Sequence, residues 1–159
     1  RSGGFENLVE NEETGFGWQI TARNDTLAVF IDDKIRNSGS QAVKIKFDGQ
    51  SPTTTNVISQ LIIVKSSQNY RLTFAVKAVE LTTGGLPLII ITDAVSNKNI
   101  AQSKVINSTN GKWIQQTVDF RTNETSVITV NLQRIGCNVK LCPILGEVWL
   151  DDFSLSEQK

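Results

Sequence analysis

Two acids, Asp151 and Asp152, stand side by side in a segment, Gly146-Glu147-Val148-Trp149-Leu150-Asp151-Asp152-Phe153-Ser154-Leu155, whose other residues read as a strand. Apolar residues alternate at Val148 and Leu150 and again at Phe153 and Leu155, with the acids between them. Asp is depleted in strands, and a carboxylate buried there needs hydrogen bonds, an ion partner or a metal. The other reading is a strand bend with both acids in water. Asp32 and Asp33 form a second adjacent pair. Glycoside hydrolysis needs two carboxylates about 5–10 Å apart across one sugar. Neighbours on a strand point to opposite faces, so neither pair presents both acids to one substrate without a bend. The sequence holds 0 His and 0 Met. That removes Ser-His-Asp and Cys-His nucleophile systems, histidine-ligated zinc and a histidine pH switch. Catalysis is not expected.

Lys plus Arg equal Asp plus Glu at 16 each over 159 residues, and the pI is about 6.5. A neutral balance gives no pull toward nucleic acid or an anionic membrane. The longest apolar run, Leu86 to Ile91, contains a proline and falls far short of the ~20 residues needed to span a bilayer. No signal peptide is evident, and Arg1 in place of Met suggests a processed or excised piece of a larger protein. The length suits one domain, residues 1–159, with a core of its own. Cys137 and Cys142 flank a short loop, Cys-Asn-Val-Lys-Leu-Cys, without the second pair of a four-cysteine zinc site. A disulfide is favoured over two free thiols, and with it an oxidising compartment.

The elements that must position these residues are strands. Short strands are expected at Phe16–Thr21, Leu27–Asp32, Ala42–Phe47, Val57–Val64, Leu88–Thr92, Ile100–Ile106, Trp113–Phe120 and Val127–Gln133, beside the Asp151 segment. Tyr70 to Lys77 alternates most cleanly, with Tyr70, Leu72, Phe74 and Val76 on one face and Arg71, Thr73 and Lys77 on the other. Residues 48–56, Asp-Gly-Gln-Ser-Pro-Thr-Thr-Thr-Asn, read as a turn-rich loop. Thr82-Thr83-Gly84-Gly85-Leu86-Pro87 is glycine-rich but lacks the lysine of a phosphate-cradling loop and opens a strand, so it reads as a turn. Roughly nine to eleven strands at intervals of about ten residues, with no amphipathic helix, predict an all-β sandwich or barrel.

The opening Gly3-Gly4-Phe5-Glu6-Asn7, the Gly17-Trp18 that follows, the Ser38-Gly39-Ser40-Gln41-Ala42-Val43-Lys44-Ile45 strand entry and the terminal Leu-Asp-Asp-Phe-Ser-Leu resemble the galactose-binding-like β-sandwich. Ile58-Ser59-Gln60-Leu61, Asn69 to Lys77 and Lys112-Trp113 fall in the same order, so the resemblance spans nearly the whole chain. More narrowly, it is similar to carbohydrate-binding modules of families 4, 9 and 22. That resemblance implies a jelly-roll β-sandwich and a structural Ca2+ held by Glu6 and Asp151, with backbone oxygens of Gly4 and of the segment Asn37 to Gln41; Asp152 is the alternative acid. Calcium takes oxygen ligands from acids and irregular backbone alike, and such a site would anchor both chain ends.

Sugar sites combine an apolar platform with a few planar polar groups. Trp18 and Trp113 read as structural. Trp149 points away from Val148 and Leu150, toward either a second buried layer or an open sheet face. It is the candidate platform, with Arg71, Gln115 and Arg134 as candidate ligand contacts, and Thr73 or Gln133 as possible companions. The expectation is a non-catalytic accessory module of an extracellular or periplasmic protein, partnered by a polysaccharide or glycan and by other domains of the parent chain. The alternative is a structural or protein-interaction sandwich without a sugar ligand.

Overall fold

The computed structural model describes residues 18–20, 27–39, 42–51, 57–83, 85–134 and 142–159. Glu6, Gly4, Gln41 and Cys137 lie outside them, and so does the Cys137–Cys142 bridge; of the expected calcium ligands, Asp151 and residues 37–39 lie inside. Ten strands make two five-stranded antiparallel sheets. The first sheet runs β1 (Trp18–Ile20), β4 (Ile58–Ile63), β9 (Val127–Arg134), β6 (Pro87–Asp93), β7 (Asn99–Gln102). The second runs β2 (Leu27–Asp32), β3 (Ala42–Ser51), β10 (Cys142–Gln158), β5 (Asn69–Thr83), β8 (Ile114–Arg121). This is the expected jelly-roll β-sandwich, with no helix among the described residues.

Alternation builds the core. Val43, Ile45, Phe47, Val148, Leu150, Leu72, Phe74, Val76 and Ala78 turn inward from the second sheet to meet Ile58, Ile89, Ile91, Ile128, Val130 and Leu132 of the first, all buried. Each large aliphatic or aromatic side chain so buried contributes about 1.5–3 kcal/mol. Trp18 is fully buried, its ring 4.8 Å from Phe153, and Phe153 stacks on Phe74 at 5.0 Å.

Two β-bulges keep acids out of that core. In β10 the pairing with β5 shifts by one residue between Asp151 and Ser154. Strict alternation after Leu150 would turn Asp152 inward and Phe153 outward. The extra residue, Asp152, instead takes φ 53°, and Phe153 packs inside. In β5 a shift opposite Leu145 and Glu147 does the same: Glu80, at φ 52°, is exposed, while Leu81 packs against the core. A bulge inverts the facing of everything beyond it at the cost of one strained residue.

Three strand boundaries differ from the sequence reading. Residues 48–51 belong to β3, because Ile144 to Cys142 of β10 pair with Gly49 to Ser51 and impose extended structure on a turn-prone sequence. β5 runs on past Lys77 to Thr83, through its bulge. β7 ends at Gln102, although Ser103 and Ile106 still donate backbone N–H groups to Ile89 and Pro87 at 2.8 and 2.7 Å.

Candidate functional site

The outer face of the first sheet carries the residues that alternate with the core: Ser59 and Leu61 on β4, Thr129, Asn131 and Gln133 on β9, Ile90 and Thr92 on β6. Antiparallel register sets Asn131 between Ser59 and Ile90, and Thr129 between Leu61 and Thr92. With Asn97, from the connection between β6 and β7, the polar members line a depression of about 320 Å³: Ser59, Thr92, Asn97, Thr129, Asn131 and Gln133. Among the described residues, every lining side chain is a hydroxyl or an amide, and none carries charge.

Asn131 sits at the floor, 2% exposed although it faces outward. Its Nδ2 reaches Ile90 O, Thr92 Oγ1 and Thr129 O only at 3.4–3.5 Å, the outer limit of a hydrogen bond. Its Oδ1 is buried with no partner. A buried acceptor without a donor costs about 1–3 kcal/mol, and native folds keep few of them. Leu61 and Ile63 of the same face supply aliphatic surface, Ile63 at 63% exposure.

The second sheet gathers most of the residues singled out from the sequence, in a different setting. Trp149 does point to the outer face, but it is 4% exposed. Its Nε1–H donates to Asp32 Oδ2 at 2.9 Å, and the ammonium groups of Lys44 and Lys77, from the strands on either side, lie 5.0 and 5.3 Å from the indole centroid. Lys44 also pairs with Glu147. The indole is thus covered by lysine rather than open to a sugar ring. Burial pushes the Asp32 carboxyl up, yet N–H groups of Ile35, Trp149 and Lys34 hold it below its ordinary value.

Arg71 and Gln115 share that outer face, on the adjacent strands β5 and β8. Arg71 forms a fork with Asp119, Nε to Oδ1 at 2.7 Å and Nη2 to Oδ2 at 3.1 Å. Arg134 lies elsewhere, buried at the end of β9 in the first sheet, where its Nε donates to Gly85 O at 2.9 Å and Nη2 to Pro143 O at 3.4 Å. Burial lowers its pKa. The structure brings Trp149, Arg71, Thr73 and Gln115 to one face, and sets Arg134 apart from them.

Asp151 is fully buried. Its Oδ2 accepts the backbone N–H groups of Asn37 and Ser38 at 3.0 and 3.1 Å, and its Oδ1 that of Asp152 at 2.8 Å. Asp152 takes the side chains of the same two loop residues, Asn37 Nδ2 at 2.7 Å and Ser38 Oγ. The acids therefore clamp the segment 33–39 over the last strand. Burial pushes the Asp151 carboxyl above its ordinary value despite the three N–H bonds. Among the described residues no group of three metal-ligating side chains gathers.

Asn131 and its neighbours were not legible as a site, since polar residues alternating on a strand read as a solvated face. The signal was the run Thr129-Asn131-Gln133 on one face, of which only Gln133 stood out, and then as a companion of Trp149. Among the described residues the large exposed apolar side chains, Phe30, Ile63, Val95, Ile114 and Leu145, lie on four different strands and one turn. Such scattered residues do not make a docking patch.

No family model matches the chain, and no curated protein matches it in sequence. Solved structures do match. A family 4 carbohydrate-binding module superposes with a TM-score of 0.67 at 16% identity, over 99% of both chains. The CBM22-1 xylan-binding domain of Paenibacillus barcinonensis Xyn10C gives 0.63 at 16% identity, covering 98% of this chain and 92% of its own. TmCBM61, solved in complex with β-1,4-galactotriose, gives 0.59 at 17% identity, over 99% and 97%. The fold is that of these carbohydrate-binding modules, as the sequence resemblance implied.

Proposed function

We propose that the chain is a non-catalytic carbohydrate-binding module that takes a neutral sugar in the depression around Asn131. The observation that carries this reading is the partnerless Oδ1 of Asn131 at the floor of an uncharged, hydroxyl- and amide-lined hollow. Once the amide of Asn131 turns toward the hollow, a sugar hydroxyl beside Ser59 and Thr92 supplies the missing donor, and Leu61 and Ile63 offer the apolar surface that ring C–H groups need. The likeness to modules that hold xylan or galactan fragments over nearly their whole length supports the same reading. Among the described residues the lining is hydroxyls and amides, the groups that bind sugar hydroxyls.

The test is retention on a panel of neutral polysaccharides, xylan and β-1,4-galactan included, in calcium buffer. Wild type should be retained by at least one of them. Asn131→Leu should lower that affinity about tenfold or more, through the loss of amide contacts. It should leave the melting temperature unchanged or slightly raised, because an apolar group of similar shape removes the orphaned acceptor. No retention of wild type, or undiminished retention of the folded variant, would sink the proposal.

Calcium belongs to the same proposal. Asp151 would hold it with Glu6, the Gly4 carbonyl and backbone oxygens of the segment ending at Gln41. What supports this is that a buried carboxyl whose pKa stays raised is short of positive charge nearby. Three of the roughly four lone-pair sites of that carboxylate accept N–H groups, which leaves one for a cation. Stripping calcium should lower the melting temperature by roughly 5–10 °C if the ion is bound about a hundredfold above its Kd. An unchanged melting temperature, in protein first shown by elemental analysis to contain calcium, removes the ion's structural role. A sugar-binding accessory domain of this kind suits an extracellular or periplasmic protein with further domains.

A further inference from the structure

On the second sheet, register stacks polar side chains of three neighbouring strands into rows: Ser154, Thr73 and Thr117; Ser156, Arg71 and Asp119; Gln158, Asn69 and Arg121. Where these rows end, a cavity of about 380 Å³ opens, lined by Asn69, Tyr70, Arg71, Asp119, Phe120 and Gln158. Three features of it bear on a ligand. The Arg71–Asp119 fork fixes a planar donor and a planar acceptor side by side, with side-chain exposures of 47% and 58%. Only two guanidinium N–H groups and one lone pair on each carboxylate oxygen are spent within the fork. Tyr70 and Phe120, core residues stacked at 5.8 Å and each 7% exposed, add only ring edges to the same lining.

Adjacent sugar hydroxyls each donate and accept, so an Arg–Asp fork can meet a vicinal pair, while the aromatic edges give ring C–H groups an apolar contact. The fork's charges cancel. A phosphate or uronate would meet Asp119, and a cation would meet Arg71, so the chemistry selects an uncharged polyol. We propose that this cavity is a second sugar subsite, on the opposite sheet from the Asn131 depression, and that the module bridges two segments of neutral polysaccharide. Packed sheets stand about 10 Å apart and the two sites face away from each other, so one extended chain cannot fill both. The proposal rests on the carbohydrate-binding reading.

The probes are cellohexaose, mannohexaose, xylohexaose, galactohexaose and the parent soluble polysaccharides, with polygalacturonate as the anionic comparison. Calorimetry on wild type should give two hexasaccharides per chain, and light scattering should show the polysaccharide cross-linked by protein. The double variant Arg71→Ala/Asp119→Ala removes both partners of an exposed pair, so no charge is left unmatched and the fold should persist, checked by its melting curve. It should bind one hexasaccharide and lose the cross-linking, as should Asn131→Leu. If wild type binds one hexasaccharide, and the double variant matches it in stoichiometry, affinity and scattering, the second subsite falls while the carbohydrate-binding reading stands. Binding of polygalacturonate in place of the neutral probes overturns the neutral ligand. No binding to any probe overturns both readings.

Discussion

Asp151→Ala is expected to lower stability by about 3–5 kcal/mol, and with it the melting temperature by roughly 10 °C. The carboxylate accepts the backbone N–H groups of Asn37, Ser38 and Asp152, and its removal strands them under the segment 33–39. Each stranded donor costs about 1–3 kcal/mol less whatever water recovers. Asp151→Asn should fall in between, since one oxygen can still accept but the amide nitrogen opposes a donor. In calcium-free protein, where burial raises the Asp151 carboxyl above 3.8, the stability linked to its proton is present below the unfolded value and lost as pH rises through the folded one. The deficit of the Asn variant should therefore be largest in acid and narrow toward neutral pH. Thermal unfolding across pH, with Ser38→Ala as a control expected to lose under about 1 kcal/mol, measures all of this. A melting point for Asp151→Ala within two or so degrees of wild type would mean that the clamp does not hold the loop.

The same clamp marks how far the sequence could be read. Val148 and Leu150 lie on even positions, Phe153 and Leu155 on odd ones, and that change of phase is the signature of an inserted residue; the bulge at Asp152 is its structural form. Trp149 could be placed on the outer face by the same parity. Its cover could not, because Lys44 and Lys77 reach it from strands whose neighbourhood only the sheet order establishes. The end of β3 was hidden for a related reason. Asp48-Gly49-Gln50-Ser51 has turn composition, and pairing with β10 overrides it. Asn131 was hidden more deeply still. It is buried on the central of three strands, with Ser59 of β4 and Ile90 of β6 on either side, and that neighbourhood is a property of three strands at once that no single strand's pattern contains. Arg134 illustrates the converse. A charged residue ending a strand looks like a surface contact, yet Arg134 follows Ile128, Val130 and Leu132 on the inward face and is spent on carbonyls of Gly85 and Pro143.

Gly146→Ala should cost about 3–4 kcal/mol, again roughly 10 °C in melting temperature. Gly146 lies at φ 126°, in a region that side-chain-bearing residues rarely enter, and a Cβ there would stand 2.7 Å from both Glu80 O and Leu81 Cα. Those are backbone atoms, so no rotamer change relieves the clash; the strands must part. They are also the atoms of the β5 bulge, where Leu145 pairs with Thr82 and Glu147 with Val79, leaving Glu80 and Leu81 opposite the single residue Gly146. Closing the strands without the bulge would slip β5 by one residue and turn Glu80 into the core in place of Leu81. The glycine is therefore what lets an acid stay in water at that row. Glu80→Gly offers the complementary measurement, because φ 52° costs a glycine nothing: it should leave stability within about 1 kcal/mol of wild type. If Gly146→Ala melts with wild type, the close approach of β10 to the bulge is absent in solution. If it melts low and Glu80→Gly does not, a steric contact between two backbones sets the facing of β5 at its bulge, with Glu80 in water and Leu81 against the core.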